Sequence, residues 1–241
     1  MAYLSEIWRY PIKSHGRERV SEVKVRARET LPYDRVWAVL HENSTADGSK
    51  WAACHNFSRG AKAPGLMAIA ANFDESTNTL KMSHPNKSDL TFCPDTEGEK
   101  LIEWTKDLIP NDRSRSAKVI RAQASAMTDT DYPSITICSS TSHDALAKEM
   151  GCDLSKNRWR GNLWIDDLEP WEEMEWIGKI VQIGNIQFDI VEPVQRCMAT
   201  TANPETGVRD ADTLGALQAH GHQNFSVYRS EEHTSELQSP M

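Results

Sequence analysis

The sequence predicts a mainly β protein with a few helices, of the α+β class, and three observations carry that expectation. Short apolar stretches with period-two alternation recur along the chain, bounded by Pro, Gly and Asn/Asp turns. Only two stretches show helical spacing. Strands and helices do not alternate regularly, which disfavours βαβ units and favours a β-barrel or another twisted β-rich fold.

Tyr3 to Tyr10 alternates as a strand and ends at Pro11, and Val20 to Val25 alternates again. Val36 to Leu40 is a short apolar strand after the loop Leu31-Pro32-Tyr33-Asp34-Arg35. Leu66 to Phe73 and Thr79 to Met82 flank Asp74-Glu75-Ser76-Thr77-Asn78, which predicts a hairpin. Lys100 to Leu108 has helical spacing and stops before Pro110. The polar stretch Asn111 to Ser116 is the expected internal boundary. The second half opens with Val119-Ile120, then the buried strand Ile135 to Cys138. Ser142 is the expected N-cap of a helix over His143 to Met150, closed by Gly151. Leu163-Trp164-Ile165, Ile180 to Ile183 and Ile186 to Val191 are further strands. Gly184-Asn185 joins the last two as a hairpin turn, and the run to Val191 is expected to stop at Pro193.

With 241 residues, the chain is long enough for one large domain or two small ones. Apolar content of 39% and charged content of 26% fit a water-soluble protein, and a net charge of −8 argues against a general nucleic-acid surface. No apolar run approaches the roughly 20 residues of a membrane span, and no signal-like N-terminus precedes Tyr3. A cytoplasmic location without a transmembrane anchor is therefore expected, with mitochondrial association left open. Residues 229–241 resemble an in-frame translation of a sequencing-adapter oligonucleotide. They are expected to be non-native and to leave the last sheet open at one edge.

Cys54, Cys93, Cys138, Cys152 and Cys197 are odd in number and widely spaced, with no Cys-x-x-Cys pair, so neither a disulfide framework nor a structural zinc site is expected. Cys197 follows Arg196 at the end of a strand-like run. A fixed cation beside a thiol favours the thiolate, hence a nucleophile or metal ligand; the competing reading is a small buried hydrophobe. Three basic sites stand at strand ends: Lys13-Ser14, Arg35, and Arg158-Trp159-Arg160-Gly161-Asn162. Such groups converge where a phosphate is held, and singly each is a common surface charge. The acidic run Asp166 to Trp176 lacks the spacing of a cation loop and predicts a solvated loop or short helix pinned by tryptophans. Histidine metal spacing, Gly-x-Gly-x-x-Gly and Walker loops are absent.

Tyr10-Pro11-Ile12-Lys13-Ser14, followed by Asp34-Arg35-Val36-Trp37, resembles the N-terminal β-barrel domain found ahead of MOSC domains. Arg158 to Asn162, the Glu169-Pro170-Trp171 run, Trp176-Ile177-Gly178, Ile183-Gly184 and Glu192 to Gly207 resemble the MOSC domain itself, shared by molybdenum-cofactor sulfurases and amidoxime-reducing proteins. Gly161 stands where proline is common in that motif. The resemblance implies an N-terminal β-barrel domain over residues 1–116, packed on a MOSC-type β-barrel over 117–228, with the tail 229–241 outside both.

The resemblance further implies a molybdenum–molybdopterin cofactor with Cys197 as thiolate ligand, a soft donor suited to the metal. Lys13, Ser14, Arg35 and Arg160 would hold the pterin phosphate. Asn162 and Arg196 would close the site, Gln195 would face the cofactor, and Asp131 and Tyr132 fall at further contact positions. The implied reaction removes oxygen from an N-hydroxylated or N-oxide small molecule. Electrons would come from an external cytochrome b5-type or ferredoxin/flavin reductase partner. The alternative is a non-catalytic module that binds the cofactor or carries sulfur as a Cys197 persulfide. A third reading is a product without function, because its C-terminus is lost. No residues support pyridoxal phosphate, which would come to the chain only as a family label.

Overall fold

In the N-terminal half, alternation decides most of the strands. The computed structural model, which describes residues 2–231 and 235–238, begins with β1 (Tyr3–Arg9), whose Leu4 and Ile7 face the core. The three-residue spacing is taken up by a bulge between Leu4 and Glu6. The stretch Val20 to Val25 becomes two strands, β2 (Glu18–Val20) and β3 (Glu22–Val25), because the chain bends at Ser21 and the two join different sheets. β4 (Trp37–His41) follows. Pro64–Ala68 forms a 3-10 turn with proline in its first turn, so only Ala70 to Phe73 of the predicted strand is strand, and β5 (Ala70–Asp74) runs one residue into the predicted turn. β5 continues into β6 (Thr79–His84) and β7 (Lys87–Phe92), an antiparallel meander. β7, with its Lys-Ser-Asp start, carries too little β-propensity to be found from sequence. Helix α1 (Gly98–Thr105) follows, continued by a 3-10 turn to Leu108.

Residue 116 opens β8 (Ser116–Arg121), which pairs antiparallel with β4. β9 (Ile135–Ser139) and β10 (Leu163–Asp166) form a parallel pair, and their apolar run is buried on both faces. Ile135, Ile137, Leu163 and Ile165 enter one core, while Cys138 and Trp164 enter another. That second core is covered by α2 (Ser140–Met150) and α3 (Thr213–Ala219), through Leu146 and Leu217. The α2 N-cap is Ser139, whose hydroxyl accepts from the Ser142 amide; Ser142 lies inside the first turn. Its hydroxyl donates to Glu173 and accepts from the Trp171 amide. Gly151, at φ 62°, closes α2 as the spacing predicts. The acidic run ends in a 3-10 turn, Glu172–Trp176, in which Glu173 is buried and not solvated.

β11 (Ile180–Ile183) and β12 (Ile186–Gln195) make the expected hairpin, but β12 runs on through Pro193. The chain ahead of β11 bonds to β12 only as far as Ile190, so beyond it one side of β12 is an edge, where a strand tolerates proline. Register shifts between Ile190 and Glu192, and again between Pro193 and Gln195, absorb the distortion.

The main sheet has seven strands in the order β11-β12-β13-β9-β10-β1-β2, with β13 spanning Asn224–Glu231. Residues 229–231, set apart from sequence as tail, are therefore part of a strand held on both sides, by β12 and β9. Ser235–Gln238, as β14, pairs antiparallel with β3. An extended segment beside the unpaired amides of β3 satisfies them whatever its side chains. The expected open edge is thus not at β13; the edges of this sheet are β11 and β2. β1 and β2 of the first half lie in the same sheet as the strands of the second half. Among the described residues no helix is long and apolar enough to cross a membrane.

Candidate functional site

The end of β1, the starts of β9 and β10 and the last residues of β12 come together around Tyr228 of β13, which pairs with Thr136 near the start of β9 and with Glu192 late in β12. The loops leaving these strands enclose a cavity of about 250 Å³. Lys13, Ser14, Arg35, Arg160, Asn162, Gln195, Arg196 and Cys197, dispersed over 185 positions of the sequence, all line it. Asp131 and Tyr132 do not. Their loop reaches the cavity through Thr128, Asp129 and Ser134, while the Tyr132 hydroxyl turns away to donate to Glu192 at 2.6 Å.

Three of these side chains spring from an uncommon backbone. Ser14 (φ 62°), Arg35 (φ 53°) and Arg160 (φ 50°) are left-handed residues other than glycine. Such residues are costly and persist where surrounding structure overdetermines them, often at sites. The Tyr10 ring lies between two guanidinium groups, Arg35 at 4.8 Å and Arg160 at 4.2 Å from its centroid, and its hydroxyl donates to the Gly161 carbonyl at 2.9 Å. Arg35 also donates to Asp34 and to the Arg160 carbonyl, and Arg160 donates to the Gly16 carbonyl at 3.2 Å. Loss of surrounding water lowers the Arg160 pKa to about 10, with Arg35 acting in the same direction. Burial pushes the Tyr10 phenol upward.

Lys13 is buried, and its ammonium donates to the carbonyls of Met127 (2.8 Å) and Thr128 (3.0 Å) and to Asp129 (2.5 Å). Lys13, and more weakly Arg35 and Arg160, hold the Asp129 carboxyl well below its usual range. Asp129 is the one carboxylate on a lining that carries Lys13 and five arginines. An anion entering this cavity would meet cations whose acceptors are mostly backbone oxygens.

Arg196 serves the fold as well as the lining. Its guanidinium donates to the carbonyls of Phe225 (2.9 Å) and Trp159 (2.7 Å) and to the Ser226 hydroxyl (2.8 Å), and it is buried against Trp159 and Phe225. No hydrogen bond joins it to the neighbouring thiol among the described residues. Asn162 is a clamp: its side chain accepts from the Thr136 amide and donates to the Trp8 carbonyl, joining β9 to β1. Cys197 is exposed, which removes the buried-hydrophobe reading; that role belongs to Cys138, whose thiol burial pushes up to about 11. A Cβ at Gly161 would collide with Cys138 Sγ, which is why this position excludes any side chain.

Sequence reasoning missed Cys54 and Arg59, which line the same cavity from the loop after β4 and touch each other, Arg59 Nη1 to Cys54 Sγ at 2.8 Å. It also missed Arg209, which donates to the carbonyls of Ala61 (2.8 Å) and Met198 and ties that loop to the turn after Cys197. The glycines Gly60 and Gly65 in the loop were the available signal. A Cβ on Gly207 (φ 72°) would lie 2.7 Å from Gly65 Cα, so the Pro204–Gly207 turn rests directly on it.

The family model of the MOSC N-terminal beta barrel domain matches residues 1–131, and that of the MOSC domain matches residues 126–239. The chain is 22% identical to molybdenum cofactor sulfurase 2 of Culex quinquefasciatus, over 94% of this chain and 34% of that protein. It is 23% identical to mitochondrial amidoxime-reducing component 1 of Mus musculus, over 86% of this chain and 67% of the relative. It is also 23% identical to mitochondrial amidoxime reducing component 2 of Bos taurus, over 94% and 75%. The chain spans about a third of the length of the sulfurases it matches.

Proposed function

From a chain that belongs to the MOSC-domain family, with a MOSC N-terminal beta barrel domain ahead of the MOSC domain, we propose a reductase of N-hydroxylated or N-oxide small molecules that works through a molybdenum–molybdopterin cofactor. The observation that carries the reading is an exposed thiol, Cys197, on the same cavity as Lys13, Arg35 and Arg160. The donor set fits the group. An anionic phosphate ester suits a lining with six cations and one carboxylate, and a soft metal suits a thiolate. Arg158 adds a buried guanidinium whose Nε has no partner, room for one more acceptor.

When bound, the cofactor would supply two-electron oxygen-atom chemistry that no side chain offers. The protein's own residues do the rest. Ser14, Arg35 and Arg160 would hold the phosphate, with Lys13 adding its charge while its three N–H donors are engaged by Met127, Thr128 and Asp129; Asn162 fixes the β9–β10 end of the cavity, and Cys197 Sγ would be the metal ligand. Removing oxygen as water consumes two electrons and two protons. Tyr228 lines the cavity, and burial pushes its phenol upward, so it stays protonated beside the bound substrate. Electrons come from an external cytochrome b5-type or ferredoxin/flavin reductase.

Metal and pterin analysis of the purified protein, wild type against Cys197→Ser, tests this together with reduction of benzamidoxime by a competent donor. Wild type is expected to hold molybdenum and turn over, and the variant to lose both. Wild type free of molybdenum would overturn the reading. Molybdenum without turnover would favour the alternative that the exposed Cys197 thiol carries sulfur as a persulfide, a reading suited to the sulfurase relatives.

A further inference from the structure

A second cavity, of about 190 Å³, lies on the far side of Arg59, the one described residue that lines both cavities. Its charge runs against that of the whole chain. The sequence holds 35 acidic and 27 basic residues, yet Arg59, Lys62 and Arg113 line this cavity and no carboxylate does. His41 and His55 also line it, but both nitrogens of His41 are committed. Nε2 donates to the His55 carbonyl at 2.6 Å and Nδ1 accepts from the Asn43 amide, so His41 has no ring nitrogen left for a ligand. The three charged groups are poorly compensated. Among the described residues the Arg59 side chain hydrogen-bonds only to Cys54 Sγ, and the Lys62 ammonium meets no carboxylate. Arg113 has only its exposed neighbour Asp112, at 3.4 Å.

The position of the cavity gives those cations a use. The segment carrying Arg59 is held against the turn after Cys197 by Arg209, which bridges the Ala61 and Met198 carbonyls. A Cβ on Gly60 would lie 3.7 Å from Ala199 Cβ, so the two loops are in contact. The loop whose Arg59 lines both cavities is therefore packed against the turn that follows Cys197. We propose that it is an anion subsite: it takes a carboxylate or phosphate that the substrate carries on an arm passing Arg59. The reducible N–O group then stays in the main cavity. This narrows the substrate class to N-hydroxylated compounds bearing an anionic group, and it rests on the reductase reading.

The test compares benzamidoxime with para-carboxybenzamidoxime on the cofactor-loaded protein, wild type against Lys62→Ala/Arg113→Ala. Both residues are exposed, so the variant keeps its core, and its Tm confirms that it folds. The variant should raise KM for the carboxylated substrate about tenfold and leave both constants for benzamidoxime within about twofold. Inorganic phosphate should compete with the carboxylated substrate and not with benzamidoxime, which separates a substrate arm from a free-anion site. Equal changes on both substrates, or none, overturn the subsite and leave the reductase reading standing. If neither amidoxime is reduced, that reading fails and the subsite is judged by inorganic phosphate binding to the same two proteins. Loss of one bound phosphate in the variant, with the main-cavity phosphate retained, upholds an anion site, and an unchanged number of bound phosphates overturns it.

Discussion

Gly161 and Cys138 fit each other at the level of single atoms. Gly161→Ala should destabilise the protein by about 1–3 kcal/mol, because its Cβ must displace a fully buried sulfur. Cys138→Ala in the same chain should recover most of that loss, and urea midpoints of the four proteins read the coupling. Additive losses would mean that the two do not touch. From sequence Gly161 was visible only as a departure from a proline; the sulfur behind it was not, since Cys138 lies 23 positions away. His15 offers a second test. Buried, with Nδ1 donating to the Lys13 carbonyl at 2.8 Å and Nε2 unpartnered, it is lowered from 6.5 to about 4 by burial. Between those values the unfolded chain takes up a proton that the folded chain refuses. Stability therefore falls as pH falls through that window, by about 3 kcal/mol in all. His15→Asn should flatten urea midpoints measured from pH 7 down to 4; an unchanged slope would assign the effect to other groups.

Among the elements, α2 shows how a local signal misleads. Ser139, Ser140, Thr141 and Ser142 all have cap chemistry, and sequence alone cannot choose among them. The structure uses Ser139 as cap and gives Ser142 to tertiary contacts. Ser139→Ala should cost about 1 kcal/mol, the usual loss of a cap. Ser142→Ala should cost more, about 1–3 kcal/mol, because it strips a partner from both the buried Glu173 carboxyl and the Trp171 amide. Thermal unfolding of the two variants orders them, and the reverse order would mean that the Ser142 contacts to Glu173 and Trp171 contribute little. β12 shows the opposite error. Pro193 ends a strand only where its missing N–H would have had a partner, and partner strands are tertiary information. The hairpin at Gly184-Asn185 and the separate strands β9 and β10 were legible because turn chemistry and unbroken apolar runs are local; their parallel pairing was not.

For the whole molecule, the β-rich character was readable and the assignment of strands to sheets was not. β1 and β2 carry ordinary alternating patterns, which say that a strand forms and not that its neighbour is β10. The cavity lining was readable in the same partial sense: Lys13, Arg35, Arg160 and Cys197 were named, and their convergence came from the sheet that spans both halves. Expressed alone, residues 117–241 lack β1 and β2 and should show no cooperative thermal transition, whereas mixing with residues 1–116 should restore one. A cooperative transition in the isolated half would show two independent folding units. The strand order also sets a timetable. β13, next to last in the chain, lies between β12 and β9, and β1, the first strand made, needs residues 163–166 for its neighbour. At about 5–20 residues per second on a ribosome, the first strand has β2 beside it early but waits roughly 10–30 seconds for its second neighbour, β10, and the sheet cannot close until β13 has been made. The growing polypeptide spends that interval with bare strand edges, so its yield in a cell depends on chaperones that shield an unfinished chain.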